Sequence, residues 1–276
     1  MELSLYTLVT EDFSLEESIT MAAEAGYQAV DIRQNEDGCH ITPDVTDREL
    51  QQIRTMVEEA GLQASGVTTY WQVGIPDANE ARRHQEGLRR GCQIARILGA
   101  HFLRCSPADL DLGIGYEAQR KLFREQLMQA AQYGADYDVT INFEQHSRTM
   151  AASAGQILDL TRGLPLDHIG VVYDPGNTMV EGFERPRNQI EMLRYLMKAV
   201  HVKNLTVESS TEPQECFPSN CTPLDSGFLQ WPAIINQLKQ IGYDGYLTLE
   251  ELVRHDRFAS VQEMIAWDAQ YLRSLL

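Results

Sequence analysis

The sequence predicts a single (β/α)8 barrel, the TIM-barrel fold, over residues 1–276. Its length is normal for such a barrel. Strand-like and helix-like patterns alternate eight times with no break in composition, as a closed parallel sheet requires. Helix-like segments also end in glycine at intervals close to one β/α repeat, or to two repeats for the last interval, which is the periodicity of this architecture. These glycines are Gly26, Gly61, Gly99, Gly134, Gly163 and Gly242.

Capping signals define the helices. A glycine just beyond a helix adopts the left-handed conformation that other residues avoid, so each of these glycines predicts a helix end. Serine or threonine stands three residues before Glu or Gln, the capping-box spacing, at Ser14, Thr46, Ser153 and Ser260. Residues 16–25 and 50–60 are amphipathic, and the last helix is predicted at about residues 260–275.

Short apolar and β-branched runs follow most of the glycines and predict the strands. We place them at about residues 2–9, 28–33, 63–69, 101–105, 140–145, 168–174, 200–204 and 246–250. An open doubly wound sheet is the structural alternative. It would normally carry a glycine-rich phosphate loop after its first strand, and residues 7–12, Thr-Leu-Val-Thr-Glu-Asp, contain no glycine.

Two long loops follow the second and seventh strands, at residues 34–45 and 206–228. Both lie on the strand-to-helix side, where barrel active sites are built. A long loop in this position predicts a lid or a substrate wall, and a surface excursion is the alternative.

Composition restricts the function classes. The net charge is 23 − 40 = −17, and so acidic a surface argues against nucleic acid as a partner. The five cysteines show no zinc or disulfide framework, although Cys216 and Cys221 flank a turn and could pair. The first residues predict a strand rather than a signal peptide, and no apolar run approaches the roughly 18 residues that span a bilayer. We therefore expect a cytoplasmic protein without a membrane partner.

Four consecutive strands end in a good metal ligand. The segments read Ile-Asn-Phe-Glu at 141–144, Val-Tyr-Asp at 172–174, Val-His at 200–201 and Leu-Thr-Leu-Glu at 247–250. Each ligand alone could be a helix cap or loop anchor. Together they would converge at one mouth of the barrel, where three carboxylates repel one another unless a cation neutralises them.

This ligand set indicates the type of metal. Three carboxylates and one imidazole, without a thiolate, suit one hard or borderline divalent ion. Mn²⁺ is the first choice, followed by Mg²⁺ or Co²⁺, and Zn²⁺ is a further option although it usually takes more nitrogen or sulfur.

Longer segments around the ligands carry a family resemblance. They are Ile-Asn-Phe-Glu-Gln-His at 141–146, Tyr-Asp-Pro-Gly-Asn at 173–177, Val-His-Val-Lys-Asn at 200–204, and residues 223–231 and 242–250. The sequence resembles the sugar isomerase/epimerase family with a xylose-isomerase-like barrel, which includes ketose 3-epimerases, hydroxypyruvate isomerases and inosose dehydratases. The resemblance implies that Glu144, Asp174, His201 and Glu250 bind the metal, and that Glu144 and Glu250 also act as acid/base groups.

The expected reaction is the isomerisation or epimerisation of a sugar or sugar phosphate. Removing a proton beside a carbonyl leaves negative charge on oxygen, and a bound cation stabilises that enediolate. A dehydratase acting on a keto-cyclitol or a dehydroshikimate-like compound is the main alternative. A non-catalytic sugar-binding barrel is another. The related abasic-site endonucleases need several more histidines than the seven present.

Six further residues are candidates for contacts with substrate: Asn177, His146, Lys203, Tyr6, Arg104 and Trp71. Structural roles such as a salt bridge, a buried histidine or core packing are the alternatives. Asn177, Asn204 and residues 225–227, Asp-Ser-Gly, depart from common family patterns, so the substrate is predicted only as a sugar-like small molecule. A homodimer or homotetramer is expected from the resemblance.

Overall fold

Eight parallel strands close into a barrel in the computed structural model of the chain, which describes residues 1–181, 184–208 and 219–276. The predicted (β/α)8 class is therefore confirmed. The barrel strands are β1 (Glu2–Tyr6), β2 (Ala29–Arg33), β3 (Gln63–Val73), β4 (Phe102–Pro107), β5 (Thr140–Glu144), β6 (Ile169–Tyr173), β7 (Met197–Val202) and β10 (Tyr246–Leu249). Two short strands in the loop after β7, β8 (Leu205–Val207) and β9 (Ser219–Cys221), form an antiparallel pair.

Helices follow the strands around the outside of the barrel. They are α1 (Leu15–Ala25), α2 (Asp47–Glu59), α3 (Ala78–Leu98), α4 (Tyr116–Tyr137), α5 (Ala154–Thr161), α6 (Pro175–Met179), α7 (Pro186–Leu193), α8 (Trp231–Gln240) and α9 (Val261–Leu275). Among the described residues, no helix has the length and apolar character needed to span a membrane.

Three strand boundaries differ from the prediction by three residues or more. The first strand ends at Tyr6, because the Thr7 hydroxyl accepts a hydrogen bond from the Arg33 amide at 2.9 Å and the chain turns into a short 3-10 helix at Thr7–Thr10. The third strand continues through Val73, since it pairs again with the end of β4 after an irregularity. The seventh strand begins earlier than predicted, at Met197.

The predicted helix caps are largely confirmed. Ser14, Thr46 and Ser153 form complete capping boxes. Ser260 caps α9, but the Glu263 carboxylate accepts from the amide of Ala259 rather than from that of Ser260. Only half of that predicted box therefore forms.

Five of the six predicted glycine stops adopt positive φ, and Gly134 is the exception. Helix α4 runs past Gly134 to Tyr137 and ends at Asp138, whose φ is 57°. A side chain at position 134 would place its Cβ 2.5 Å from the carbonyl oxygen of Val139. Close backbone packing, and not helix termination, therefore requires this glycine.

Inside the barrel, a small apolar layer separates polar side chains that lie on either side of it along the barrel axis. Phe102, Val172 and Ala199 form a buried cluster separate from the main core between sheet and helices. On β1 and β3, the hydroxyls of Ser4 and Ser65 lie 2.7 Å apart. Because side chains alternate along a strand, the residues two positions beyond the apolar layer face the same interior at the C-terminal mouth. This alternation positions the candidate site.

Candidate active site

The four predicted ligands converge at the C-terminal mouth of the barrel. Glu144 ends β5, Asp174 caps α6 directly after β6, His201 lies in β7, and Glu250 follows β10. Their ligand atoms all lie within 4.8 Å of one another. All four side chains are buried, with at most 9% of any residue exposed. The four strand-end residues therefore lie close together in the structure, as the sequence predicts.

His201 lies at the centre of the cluster. Its Nδ1 atom is 3.1 Å from Oε2 of Glu250, 3.3 Å from Oε1 of Glu144 and 3.9 Å from Oδ2 of Asp174. The ring nitrogen Nε2 has no hydrogen-bond partner among the described residues. A buried imidazole surrounded by three carboxylates is an unusual arrangement in a protein core without a cation.

Two basic side chains enter the cluster from neighbouring strand ends. The Nζ atom of Lys203 lies 2.8 Å from Oδ2 of Asp174 and 2.9 Å from Oε2 of Glu250. The Nε atom of Arg104 donates to Oε2 of Glu144 at 2.6 Å. Three carboxylates are thus paired with two permanent cations of the chain, and these pairs neutralise most of the local negative charge.

The charged neighbours set the protonation of the carboxylates. Burial raises the pKa of Glu144, but Arg104 and His201 outweigh burial and hold it well below its usual range. For Glu250, burial is likewise outweighed by Lys203 and His201, which lower its pKa to about 2. Burial dominates at Asp174 and raises its pKa to about 6, despite the charge of Lys203. Both glutamates are therefore ionised at neutral pH.

Asn177 forms hydrogen bonds with two of the metal-ligand candidates, Asp174 and Glu144. Its Nδ2 donates to Oδ2 of Asp174 at 2.8 Å and to Oε1 of Glu144 at 3.1 Å. Its Oδ1 accepts from Nζ of Lys203 at 3.3 Å. Asn177 lies at this position because Asp174 caps α6, with its Oδ1 accepting from the Asn177 amide at 2.9 Å.

The residues fit a divalent cation. Three converged carboxylate oxygens and an imidazole nitrogen are the donor types of hard and borderline ions. Removing water from such a group of anions is unfavourable unless positive charge compensates, and a cation would add to what Lys203 and Arg104 supply. This buried cluster could therefore hold a divalent metal.

Residues 19–275 match the family profile described as the xylose isomerase-like TIM barrel. The chain belongs to this family. The resemblance to sugar isomerase and epimerase barrels is thereby confirmed at the level of family and fold. No protein with a curated description matches the chain.

Solved structures share the fold at low sequence identity. An L-ribulose 3-epimerase is 16% identical with a TM-score of 0.80, and the match covers 100% of this chain and 94% of that one. The 3-keto-D-glucoside 4-epimerase YcjR from E. coli is 15% identical with a TM-score of 0.77, covering 99% of both chains. A xylose isomerase-like TIM barrel protein from Mycobacterium smegmatis in complex with magnesium is 14% identical with a TM-score of 0.77, covering 99% and 96%.

In this xylose isomerase-like barrel, an aromatic and basic network covers the other side of the mouth. The Tyr6 ring stacks on His201 with centroids 6.1 Å apart, and the Tyr6 and Tyr70 hydroxyls lie 3.0 Å apart. Arg33 Nε donates to the Tyr70 hydroxyl at 3.1 Å. The Arg104 guanidinium lies 5.4 Å from the centroid of the Tyr70 ring. Tyr6 and Arg104 are thus adjacent to the metal-ligand candidates, and their contact with substrate stays a prediction.

Two other predicted substrate residues lie differently. Trp71 points away from the ligands and packs against α3, where a Cβ on Gly87 would be 2.2 Å from the Trp71 ring. His146 is half-buried in the loop after β5, and its Nδ1 lies 2.9 Å from the carbonyl oxygen of Ser147. Contact of either residue with substrate stays a prediction.

Two residues of the mouth were missed by the sequence analysis. The prediction named Trp71, whereas the alternation along β3 places its neighbour Tyr70 on the inner face with Thr68. Asp31 is fully buried in β2, with the Thr68 hydroxyl as a polar neighbour. Burial raises its pKa to about 6. The available signal was an aspartate in the middle of an apolar strand.

The two predicted loops are described to different extents. Loop 34–45 is held by the bidentate pair of Arg33 with Asp37, at 2.9 and 3.0 Å, and by a bridge between Gln34 and Ile41. Residues 209–218 of the second loop lie outside the described residues, and so does the suggested pairing of Cys216 with Cys221. A lid role for either loop stays a prediction.

Proposed function

We propose that this protein is a divalent-metal-dependent isomerase or epimerase of a sugar or sugar phosphate, with Mn²⁺ as the preferred ion. One observation carries the proposal: two buried, ionised glutamates from opposite ends of the ligand set, Glu144 and Glu250, lie within 3.3 Å of the same histidine nitrogen. Structural neighbours that act as sugar epimerases, and one that is in complex with magnesium, support it.

The chain's own residues supply the proton transfer. One of the two glutamates, Glu144 or Glu250, removes a proton in its ionised form from the carbon beside a substrate carbonyl, and the other returns a proton that it has taken up from solvent. Return to the opposite face of the same carbon gives an epimer, whereas return to the neighbouring carbon gives an isomer. Burial of both carboxylates keeps bulk water away from the substrate during the transfer, and the glutamates exchange their protons with solvent between turnovers.

A divalent ion, when bound by Glu144, Asp174, His201 and Glu250, supplies the positive charge that offsets negative charge developing on substrate oxygens. Asn177 and Lys203 hold the carboxylates in place through the hydrogen bonds described above. We assign Asn177, Lys203, Arg104, Tyr6, His146 and Trp71 as substrate-contact candidates, of which the first four are in direct contact with a ligand side chain.

Proton exchange tests the proposal directly. Protein loaded with Mn²⁺ is incubated in D2O with D-fructose, D-tagatose, L-ribulose and hydroxypyruvate, and deuterium incorporation is followed by NMR. We expect incorporation beside the carbonyl of at least one compound, and its loss in Glu250→Gln. The matched control is Glu251→Gln. Burial raises the pKa of Glu251 to about 8, so a neutral amide resembles the protonated acid already present at neutral pH.

The result also separates this reaction from its alternatives. A metal-loaded protein that exchanges deuterium into none of these compounds contradicts the proposal and favours a non-catalytic sugar-binding barrel. A dehydratase would instead generate ultraviolet absorbance from a new conjugated product when supplied with a keto-inositol or dehydroshikimate. Absorbance without exchange into the ketoses would reassign the reaction as elimination of water.

A further inference from the structure

An exposed apolar loop lies at the mouth end of the barrel, outside the candidate active site. Residues 109–114, Asp-Leu-Asp-Leu-Gly-Ile, connect β4 to α4 and are all exposed. Leu112 is 85% exposed, Ile114 is 41% exposed and Leu110 is 39% exposed. Single exposed apolar residues are common on protein surfaces, whereas three of them within five positions are typical of an interaction surface. We call this segment the β4–α4 loop.

A buried side chain fixes the backbone of the β4–α4 loop. Gln119 of α4 is fully buried, and its Oε1 accepts from the amide of Asp111 at 2.7 Å. Its Nε2 donates to the carbonyl oxygen of Asp109 at 2.7 Å and to that of Gly74 at 3.0 Å. The backbone is thus held on both sides of Leu110. A loop that is already ordered loses little chain entropy when it binds, so its apolar side chains are presented for contact at low cost.

A mainly apolar groove lies at the same end of the barrel. It has a volume of about 330 Å³ and lies between the start of α7 and the start of α8. Both helices begin on the mouth side, because each helix of this fold follows the C-terminal end of a strand. The residues that line this α7–α8 groove include Met179, Pro186, Leu229, Ala233 and Ile234, together with Arg185 and Arg187.

The groove and the loop are complementary in charge as well as in apolar character. In the part of the chain that the structure describes, neither Arg185 nor Arg187 forms an ion pair with a carboxylate, and neither Asp109 nor Asp111 pairs with a cation. The groove therefore offers apolar surface with two positive charges. The loop offers three apolar side chains with two negative charges, and complementary charges of this kind favour specific association.

The loop and the groove of one copy belong to different sectors of the barrel. The loop follows β4, whereas α7 and α8 follow β6 and β7, and β5 with its helix α5 lies between them. A second copy related by a twofold axis can supply the missing loop. In such an interface each contact occurs twice, because the same two surfaces meet in both directions.

We propose that the chain forms a homodimer in which the β4–α4 loop of each copy lies in the α7–α8 groove of the other. Leu112 packs against the apolar lining, and Asp109 and Asp111 lie near Arg185 and Arg187. This interface requires neither metal nor substrate, so it is independent of the proposed reaction.

Sedimentation velocity of the metal-free protein between about 0.1 and 100 µM tests the dimer, since this range spans the dissociation constants of specific weak to moderate complexes. We expect one reversible transition from monomer to dimer, and a dimer at the upper end of the range. A protein that stays monomeric throughout the range overturns the proposal and leaves the groove to a different occupant.

Two variants at exposed positions locate the interface. Leu112→Ser in the loop and Ala233→Glu in the groove should each weaken dimerisation by about 100-fold, because each change affects two symmetric contacts. The matched controls are Tyr195→Ser, at a residue that is 77% exposed at the other end of the barrel, and Asn236→Glu, at an exposed position of α8 outside the groove. Dimerisation that is unchanged in both Leu112→Ser and Ala233→Glu would place the interface elsewhere and contradict the assignment.

Mixing the two variants separates loop-to-groove contact from loop-to-loop contact. A mixed dimer keeps one intact contact, formed by the loop of the Ala233→Glu copy and the groove of the Leu112→Ser copy. We expect the mixed dimer to form about tenfold more tightly than the dimer of either variant alone, measured by sedimentation of one fluorescently labelled variant with the other unlabelled. No gain on mixing would show that the loop does not occupy this groove.

Discussion

The two halves of the barrel mouth differ in the kinds of side chain that they carry. The ligand half, formed by the ends of β5, β6, β7 and β10, concentrates three carboxylates and a histidine within 4.8 Å. The aromatic half, formed by the ends of β1 to β4, carries Tyr6, Arg33, Tyr70 and Arg104. Carboxylates are concentrated where chemistry is proposed, and aromatic rings and arginines lie on the other side of the mouth.

Removing a metal-ligating side chain should have the largest effect, and that effect is on Mn²⁺ affinity. Asp174→Asn is expected to weaken Mn²⁺ binding by at least about 100-fold, because loss of groups that only support metal ligands already costs 10- to 100-fold. Calorimetric titration with Mn²⁺ measures the change. Asp268→Asn, at a buried aspartate of α9 outside the mouth, is the control. Equal Mn²⁺ affinities for Asp174→Asn and the wild type would contradict the assignment of the metal site to the ligand half.

The residues of the ligand half could largely be predicted from the sequence. Glu144, Asp174, His201 and Glu250 each follow an apolar strand, and a parallel barrel directs all such ends to one mouth. Strand alternation then fixes which side chains face inward. The repeat and this alternation together predict convergence without any knowledge of distances.

The aromatic half was less readable, because its contacts depend on side-chain direction. Tyr70 and Trp71 are adjacent in sequence and face opposite sides of β3, so an error of one residue in the strand register exchanges their roles. Lys203 and Arg104 were identified as substrate candidates, but their pairing with the carboxylates depends on three-dimensional distances. Gly134 likewise depends on packing against Val139, which no capping pattern reveals.

Removing the internal counter-ion should have the next largest effect. Lys203→Met leaves Asp174 and Glu250 without their ammonium partner, and breaking a buried ion pair costs about 3–5 kcal/mol. We expect a lower free energy of unfolding in metal-free protein, measured with urea, and a larger stabilisation by Mn²⁺ than in wild type. Lys198→Met, at an exposed position of the same strand, is the control. A metal-free Lys203→Met protein as stable as wild type would show that this pairing is unimportant.

A smaller effect concerns Asp268, a buried aspartate of α9, and the pH dependence of the free energy of unfolding. Burial raises the pKa of Asp268 from 3.8 to about 7, with Arg257 and Asp225 as its charged neighbours. Between about pH 4 and 7 the unfolded chain loses this proton and the folded protein keeps it, so stability falls as pH rises. Asp268→Asn should remove about 3 kcal/mol of this fall between pH 4.5 and 7.5.

Urea unfolding at pH 4.5, 6 and 7.5 measures the slope for Asp268→Asn and wild type. The exposed Asp136→Asn on α4 serves as the control. Parallel slopes for the wild type and Asp268→Asn would contradict the raised pKa, whereas a flatter slope confined to this variant agrees with it.

The smallest effect belongs to the aromatic half. Tyr70→Phe removes the hydroxyl that contacts Tyr6 and accepts from Arg33, at a cost of about 1 kcal/mol in the free energy of unfolding. Mn²⁺ affinity should be unchanged, because Tyr70 contacts no carboxylate of the cluster. Tyr195→Phe, at a residue that is 77% exposed, should change neither quantity. A tenfold loss of Mn²⁺ affinity in Tyr70→Phe would show that the two halves are coupled.

Anomalous diffraction from crystals grown with Mn²⁺ tests the central claim most directly. The account predicts one strong manganese peak among Glu144, Asp174, His201 and Glu250, with metal–ligand distances of about 2.0–2.3 Å. The absence of a peak there in fully Mn²⁺-equilibrated crystals, with Lys203 still bridging Asp174 and Glu250, would contradict it.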